Sequence, residues 1–226
     1  MHKLVKSAGL IGSAALLAGC GALIGHFIGS QTVSGSQLGL SGQAISGSFS
    51  SNVTTAAVSP QSTQVVDGSV STQVSVPQLT LPQITQGISP SQLTLDANFT
   101  TVNLSGTATC LPDSSPVPVT VTSLSLNLSG SNQSVTLNAQ PNVTFTLTPS
   151  PSTAGSYTVT AASGNAADLA ASFSGSTVSQ AFTILTSGSS TLQVSASLQS
   201  SNTSVAGCDI SLTFAGTTSA TLGGFN

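Results

Sequence analysis

From about Thr72 to the end of the chain, apolar and polar residues alternate with a period of two. Val74 and Val76, Leu79 and Leu81, Leu93 and Leu95, and Val143, Phe145 and Leu147 follow this pattern. So do Leu192, Val194, Ala196 and Leu198, and then Ile210, Leu212 and Phe214; Ser, Thr, Gln or Asn fills the intervening positions. Successive side chains of a strand point to opposite faces, so this pattern predicts strands with one buried and one wet face. Breaks fall at Pro77, Pro82, Pro90, Leu111-Pro112-Asp113, Gly130-Ser131-Asn132, Pro149 to Gly155, Ser163-Gly164-Asn165 and Thr186 to Ser189. Strands at such spacing, with no helical period noted beyond residue 30, predict an all-β fold: an antiparallel β-sandwich over residues 71 to 226. Within it the alternation slips once. Val117, Val119 and Val121 are followed by Leu124, Leu126 and Leu128, and the three-residue step at Thr122-Ser123 predicts a bulge or a strand that changes sheets.

Residues 30 to 70 read differently. They are rich in Ser, Gly, Gln and Thr, with few bulky residues and only weak alternation at Gly39-Leu40-Ser41 and Ala44-Ile45-Ser46. A stretch that buries little cannot offset its ordering entropy, so a flexible spacer is expected here. The weak alternation leaves room for a strand that forms on pairing.

The N-terminus has three parts. Met1 to Lys6 is short and basic, Ser7 to Leu16 is apolar and small, and Leu17-Ala18-Gly19 brings small residues up to Cys20. This resembles the signal peptide and lipobox of bacterial lipoproteins. The resemblance implies removal of residues 1 to 19 and a diacylglyceryl thioether on Cys20, anchoring the chain to a membrane. Gly21 rather than Asp follows Cys20, which by the same resemblance implies the outer membrane of the cell envelope. The apolar character does not stop at Cys20, because Gly21 to Gly29 continues it with glycines at 21, 25 and 29. Residues 20 to 29 therefore have two readings: a lipidated start lying against the membrane, or part of an uncleaved, pilin-like helix packing with copies of itself.

A second resemblance is architectural. Ala154-Gly155-Ser156-Tyr157-Thr158-Val159-Thr160-Ala161, followed by Ser163-Gly164-Asn165, is similar to the late strand and turn of bacterial immunoglobulin-like domains. It implies an immunoglobulin-like sandwich with Tyr157 at the start of a strand, its hydroxyl tied back to a nearby turn. It implies nothing about function.

Charge excludes whole classes of activity. Charged residues make up 3% of the chain, against roughly 25% in an average soluble domain. Both basic residues, Lys3 and Lys6, precede Cys20, and the acidic residues are Asp67, Asp96, Asp113, Asp168 and Asp209. Nucleic acid and anionic headgroups are bound by cations, so neither partner is expected beyond Cys20. With only His2 and His26, and His26 beside the anchor, a histidine-based triad within the domain is unavailable. Two cysteines and a tethered histidine make no convincing zinc set. Asp67-Gly68-Ser69 lacks the hydroxyl-bearing residue between Asp and Gly that aspartic proteases use, which leaves a carboxylate hydrolase as a distant third reading.

Export also bears on Cys110 and Cys208, since an exported pair in an oxidising compartment is expected as a disulfide. It closes a loop of 98 residues (208 minus 110), and such closure stabilises by about 4 to 5 kcal/mol in the chain-entropy model. It would bring Asp113 near Asp209. The two carboxylates then either share a calcium ion or serve turns through their side-chain hydrogen bonds. Asn-x-Ser/Thr strings at Asn52, Asn98, Asn103, Asn127, Asn132, Asn142 and Asn202 are glycosylation acceptors only in a cell that has the machinery.

The sequence therefore predicts an envelope protein without catalytic cofactor, acting as a structural or adhesion-type binding module through its neutral polar faces. Its partners would be carbohydrate or another envelope protein. The alternative is a self-assembling subunit of a pilus, thread or surface layer, pairing through strand edges that carry no Lys, Arg or Glu. From Cys20 onward acid has no carboxylate–lysine or carboxylate–arginine pair to break and leaves a nearly neutral chain. Circular dichroism should hold its native form from neutral pH to about pH 2, through the ordinary Asp pKa of about 3.9; cooperative unfolding in that range would contradict the charge argument.

Overall fold

The computed structural model describes residues 29 to 58, 61 to 81, 88 to 106, 110, 116 to 150, 153, 156 to 161 and 168 to 225. The fold is all-β and antiparallel, as the alternation predicts. Its strands in chain order are β1 (Gln31–Ser34), β2 (Ala44–Val58), β3 (Gln61–Val76), β4 (Gln92–Ser105), β5 (Val117–Gly130) and β6 (Gln133–Ala139). They continue with β7 (Val143–Pro149), β8 (Ser156–Ala161), β9 (Asp168–Ser174), β10 (Ser190–Ser200), β11 (Asp209–Phe214) and β12 (Ser219–Gly223). Among the described residues, one α-helix, α1 (Ser176–Ser187), joins β9 to β10.

Two long strands organise the rest by changing partners midway. The first half of β4, Gln92 to Asn98, pairs with β9 on one side and β12 on the other, and β12 carries β1. Its second half pairs with β11 and β8. Likewise the first half of β5, Val117 to Val121, pairs with β7, and its second half, Leu124 to Gly130, with β6. At one end of the molecule two layers result, β9-β4-β12-β1 and β6-β5-β10-β3. They face each other, because Leu93, Leu95 and Ala220 of the first line the same small cavity as Leu126, Leu128 and Leu192 of the second. At the other end the strands run β4-β11-β2-β3-β10-β5-β7-β8, and β8 returns to β4 through Val102↔Tyr157 and Asn103↔Ser156. The sandwich thus closes on itself at that end. This order establishes the antiparallel class without singling out the immunoglobulin arrangement.

Each change of partner is made by the same device. Against β10, Ser197 pairs with Ser123 and Leu198 with Val121, so Thr122 is the extra residue, at the predicted step. Against β11, Thr213 pairs with Thr101 and Phe214 with Phe99, which leaves Thr100 extra. An extra residue bends the strand and moves the inward set by one position. The buried series accordingly passes from Val121 to Leu124, and on β4 from Ala97 and Phe99 to Val102 and Leu104. Both threonines donate their hydroxyls to the opposite carbonyl, Thr122 to Ser197 O at 3.3 Å and Thr100 to Thr213 O at 3.4 Å.

Most of the stretch expected to be a spacer, residues 30 to 70, is instead strand: its described residues supply the barrel wall up to about Ser50 and again from Val66, and a two-stranded extension between. It forms β1, β2 and most of β3 and buries Val33, Leu38, Leu40, Ile45, Phe49, Val66 and Val70. The reason lies in two glycines on the inward face. Gly47 lies opposite Val70 and Gly68 opposite Phe49, so each large side chain meets a position with none. A Cβ on Gly68 would stand 2.7 Å from the Phe49 ring, and one on Gly47 would run into the Ser69 carbonyl. The alternation is present, with glycine standing where an apolar residue would have announced it. The domain expected from residue 71 therefore begins, among the described residues, at Gln31.

A second correction concerns helix. Val178, Ala181, Phe182 and Leu185 are spaced as one helical face, and Val178, Ala181 and Phe182 are buried. The period is hidden by Ser and Thr, which compete with helix by bonding the backbone locally. Here Thr183 and Thr186 bond back to the Ser179 and Phe182 carbonyls at 3.0 and 2.9 Å. Helix α1 crosses from one layer to the other and closes that end, tied down by Gly175 N to Ser91 O, Ser179 Oγ to Pro90 O and Leu79 N to Leu185 O.

β-Hairpin β5–β6 turns through Ser131 and Asn132, both at positive φ of 50° and 60°, which fits the type I′ turn that two-residue hairpins favour. At the core, Phe99 packs edge-on against Phe145 at 6.2 Å and tilted against Phe214 at 5.2 Å. Replacing Gly68 with Val should push Phe49 off its site and destabilise by about 1 to 3 kcal/mol, the usual cost of overpacking. Gly216→Ala, which meets nothing nearer than Ser41 Oγ at 3.7 Å, should be nearly neutral; equal midpoints for both variants in urea would refute this packing.

Candidate interaction face

The register of the strands lines up their outward residues into rows across the sheet. One row runs Asn103, Ser211, Ser46, Ser71, Ser195, Ser125 and Asn138, across β4, β11, β2, β3, β10, β5 and β6. A neighbouring row runs Ser105, Asp209, Ser48, Ser69, Ser197 and Ser123. On the other side lie Gln73, Gln193, Asn127 and Thr136, then Ser75, Thr191, Ser129 and Ser134. All are exposed or half-buried. Strands lie about 4.8 Å apart and same-face residues about 6.8 Å apart, so the rows make a grid of hydroxyl and amide groups.

Parts of the grid are tied across strands: Ser123 Oγ donates to Ser197 Oγ at 2.8 Å and Ser46 Oγ to Ser211 Oγ at 3.1 Å. A hydroxyl both donates and accepts, and an amide side chain carries one group of each kind. The face therefore matches a neutral partner that also carries both, and it offers a charged partner almost nothing. Near the β5–β6 end the grid dips into an open hollow of about 460 Å³ lined by Ser123, Leu124, Ser125, Asn138, Ala139 and Gln140. The cavity between the layers is of another kind, about 50 Å³ and walled only by Leu and Ala side chains. A void with no polar group stays dry and performs no chemistry.

The residues singled out in the sequence are spread over the molecule. Cys20 and Asp113 lie outside the described residues. Cys110 and Cys208 are joined as a disulfide, with Cα atoms 5.0 Å apart and both side chains buried. The bond ties the segment after β4 to the one before β11, at the end where the barrel closes. Asp209 is exposed at the start of β11 between Ser48 and Ser105. No group of three or more His, Cys, Asp or Glu that could hold a metal occurs among the described residues. Asp67, expected in the spacer, lies on β3 and accepts from Gln199 Nε2 at 3.0 Å and Thr54 Oγ1 at 3.2 Å. Among the described residues no helix is long and apolar enough to cross a membrane.

No known family model, curated protein or solved structure matches the chain. The chemistry of the face itself has to carry the functional reading. Sequence reasoning identified wet faces on strands from residue 72 onward but not Ser46, Ser48 and Ser69, which fell in the expected spacer, and not the rows, since rows exist only once the register of seven strands is set.

Tyr157, the second residue of β8, sits where the barrel closes, opposite Val102 and Pro149. It is 6% exposed, and burial raises its phenol pKa above the ordinary value of 10.0. A raised pKa means the folded state holds the proton more tightly than the unfolded state. Stability is then intact below the unfolded value and lost as pH rises through the folded one. The protein should weaken above about pH 10. Tyr157→Phe should remove that alkaline loss; an unchanged alkaline midpoint in the variant would place the loss elsewhere.

Proposed function

We propose that this chain is a lipid-anchored cell-envelope protein, held through Cys20 at the outer membrane, whose domain is a structural or adhesion-type binding module for uncharged, hydroxyl-rich partners. The observation that carries the reading is the grid of Ser, Thr, Asn and Gln, seven strands wide, interrupted by a carboxylate only at Asp209 in its two longest rows. Polysaccharide hydroxyls fit such a surface, as do the amide and hydroxyl faces of another β-rich envelope protein. Binding by paired hydroxyls and amides leaves no counterions to release, so affinity is set by geometry and desolvation rather than by charge.

Anchoring at Cys20 gives the arrangement a definite scale. Strand β1 starts at Gln31, so the tether is residues 21 to 30 and not the long spacer that composition suggested. Fully extended, it reaches at most about 35 Å. The domain is therefore kept close to the bilayer, and its partner has to come to the envelope surface. The immunoglobulin-like resemblance around Tyr157 is compatible with such a module and adds no ligand of its own.

Two measurements test the reading. Intact mass of the protein from its native membrane should correspond to a chain beginning at Cys20 with a diacylglyceryl group, and a retained Met1 would overturn the anchor. Binding to an immobilised neutral polysaccharide such as dextran should survive a rise in salt to about 1 M. Loss of binding with salt, or its persistence when Ser71, Ser195 and Ser125 are all changed to Ala, would refute the neutral face as the site.

A further inference from the structure

Strand β2 does not end where the barrel does. It follows β11 from Thr213↔Ala44 to Asp209↔Ser48, and Ser50 O still accepts from Gly207 N at 3.1 Å. Beyond that it continues to Val58 with β3 as its sole partner among the described pairings. Strand β3 likewise gains β10 only from Val66 onward. Among the described residues, Val53 to Val58 and Gln61 to Val65 thus pair only with each other, a two-stranded arm that extends past the closed end from a base at the buried Val65.

The arm's place follows from the register. Gln31 pairs with Leu222, which pairs with Leu93 near the start of β4, whereas the arm leaves beside Asp209, which pairs with Ser105 at the end of β4. Residues 31 and 53 to 65 therefore lie at opposite ends of that long strand, and the arm points away from the N-terminal end of the domain.

A ribbon of two strands alone is marginal in water, and its unpaired N–H and C=O groups are a template for another strand. Proteins usually protect such edges with Lys, other charges, Pro or a bulge. Between Val53 and Val58 the sequence Val-Thr-Thr-Ala-Ala-Val has no charge and no Pro, and the bulge at Ser50 to Asn52 lies before the free segment rather than within it. Four of the six, Val53, Thr54, Thr55 and Val58, are β-prone and none is charged, the kind of segment that strand-to-strand assembly uses. Val53, 44% exposed, is also the exposed large hydrophobic of the described residues.

The chemistry of the edge narrows its partner. No charged residue lies between Val53 and Val65, and the carboxylate that touches the segment, Asp67 on β3, is held by Thr54 and Gln199, so a partner chosen by charge has little to hold. For the same reason two identical edges meet without repulsion, and backbone pairing demands no difference between the strands. A two-fold antiparallel contact places the same edge on both sides, and every copy supplies it. We propose that the Val53–Val58 edge of β2 pairs antiparallel with the same edge of a second copy of this chain, making the arm a dimerisation element. The inference stands on the arm alone and does not depend on the anchor or on the polysaccharide reading.

The full chain in a neutral detergent tests it. Sedimentation from about 1 to about 100 μM should show a monomer–dimer equilibrium in this common affinity range. Amides within residues 53 to 58 should become slow to exchange with deuterium as the dimer forms. Val53→Lys and Thr55→Pro, each placed outside the barrel, should shift the equilibrium to monomer, at least about tenfold, as edge charge and edge proline do, with the thermal transition kept. A wild-type chain that stays monomeric throughout overturns the proposal, and so does an oligomer that both substitutions leave intact. Should either variant misfold, the wild-type exchange data still decide: rapid exchange across residues 53 to 58 at the highest concentration excludes pairing there.

Discussion

The structure depends on one constraint, that backbone groups at strand edges must find partners in a domain with almost no charge to protect them. The return of β8 to β4 meets it at one end of the molecule: Val102↔Tyr157 and Asn103↔Ser156 turn an open succession of strands into a ring. The burial of Tyr157 and Val102, the ridge of Phe99, Phe145 and Phe214 beside them, and the nearby disulfide all belong to this closed end. At the other end the layers stay separate, and α1 covers the opening. Among the described pairings, the arm formed by β2 and β3 has a single partner on each strand, as do β1, β6 and β9 at the layered end.

Closure requires strands that serve two neighbourhoods, and threonine bulges provide them. Thr100 and Thr122 each add a residue, turn the inward face by one position and allow a long strand to leave one partner for another. Each hydroxyl then bonds the carbonyl it faces, so the irregularity adds a hydrogen bond where the ladder is interrupted. The equivalence of the two bulges explains how both β4 and β5 join the layered end to the ringed end.

The absence of charge links fold and function. A surface of Ser, Thr, Asn and Gln solvates the barrel with few ions, and the same groups make up the face on which the proposed binding of neutral partners rests. The large apolar cores of the layers and the disulfide, rather than ion pairs, hold the domain together.

Much of this was written locally. The alternation from Val74 to Phe214 determined strands, class and wet faces, because side-chain direction in a strand depends only on parity. The step at Thr122-Ser123 announced its bulge for the same reason, and Cys110 and Cys208 are paired as expected. What failed to show was whatever needed a neighbour. Gly47 and Gly68 look like spacer residues until β2 lies against β3, where Phe49 and Val70 occupy the room they leave. Helix α1 has a helical stripe, yet its Ser and Thr content suggests a loop until it is packed across the layers. The rows of the candidate face, from Asn103 to Asn138, are scattered along the chain and became one surface only when tertiary pairing fixed the register. Sequence decided which way each side chain points; the tertiary structure decided what stands beside it, since pairing between distant strands is set by the closure of the whole sheet.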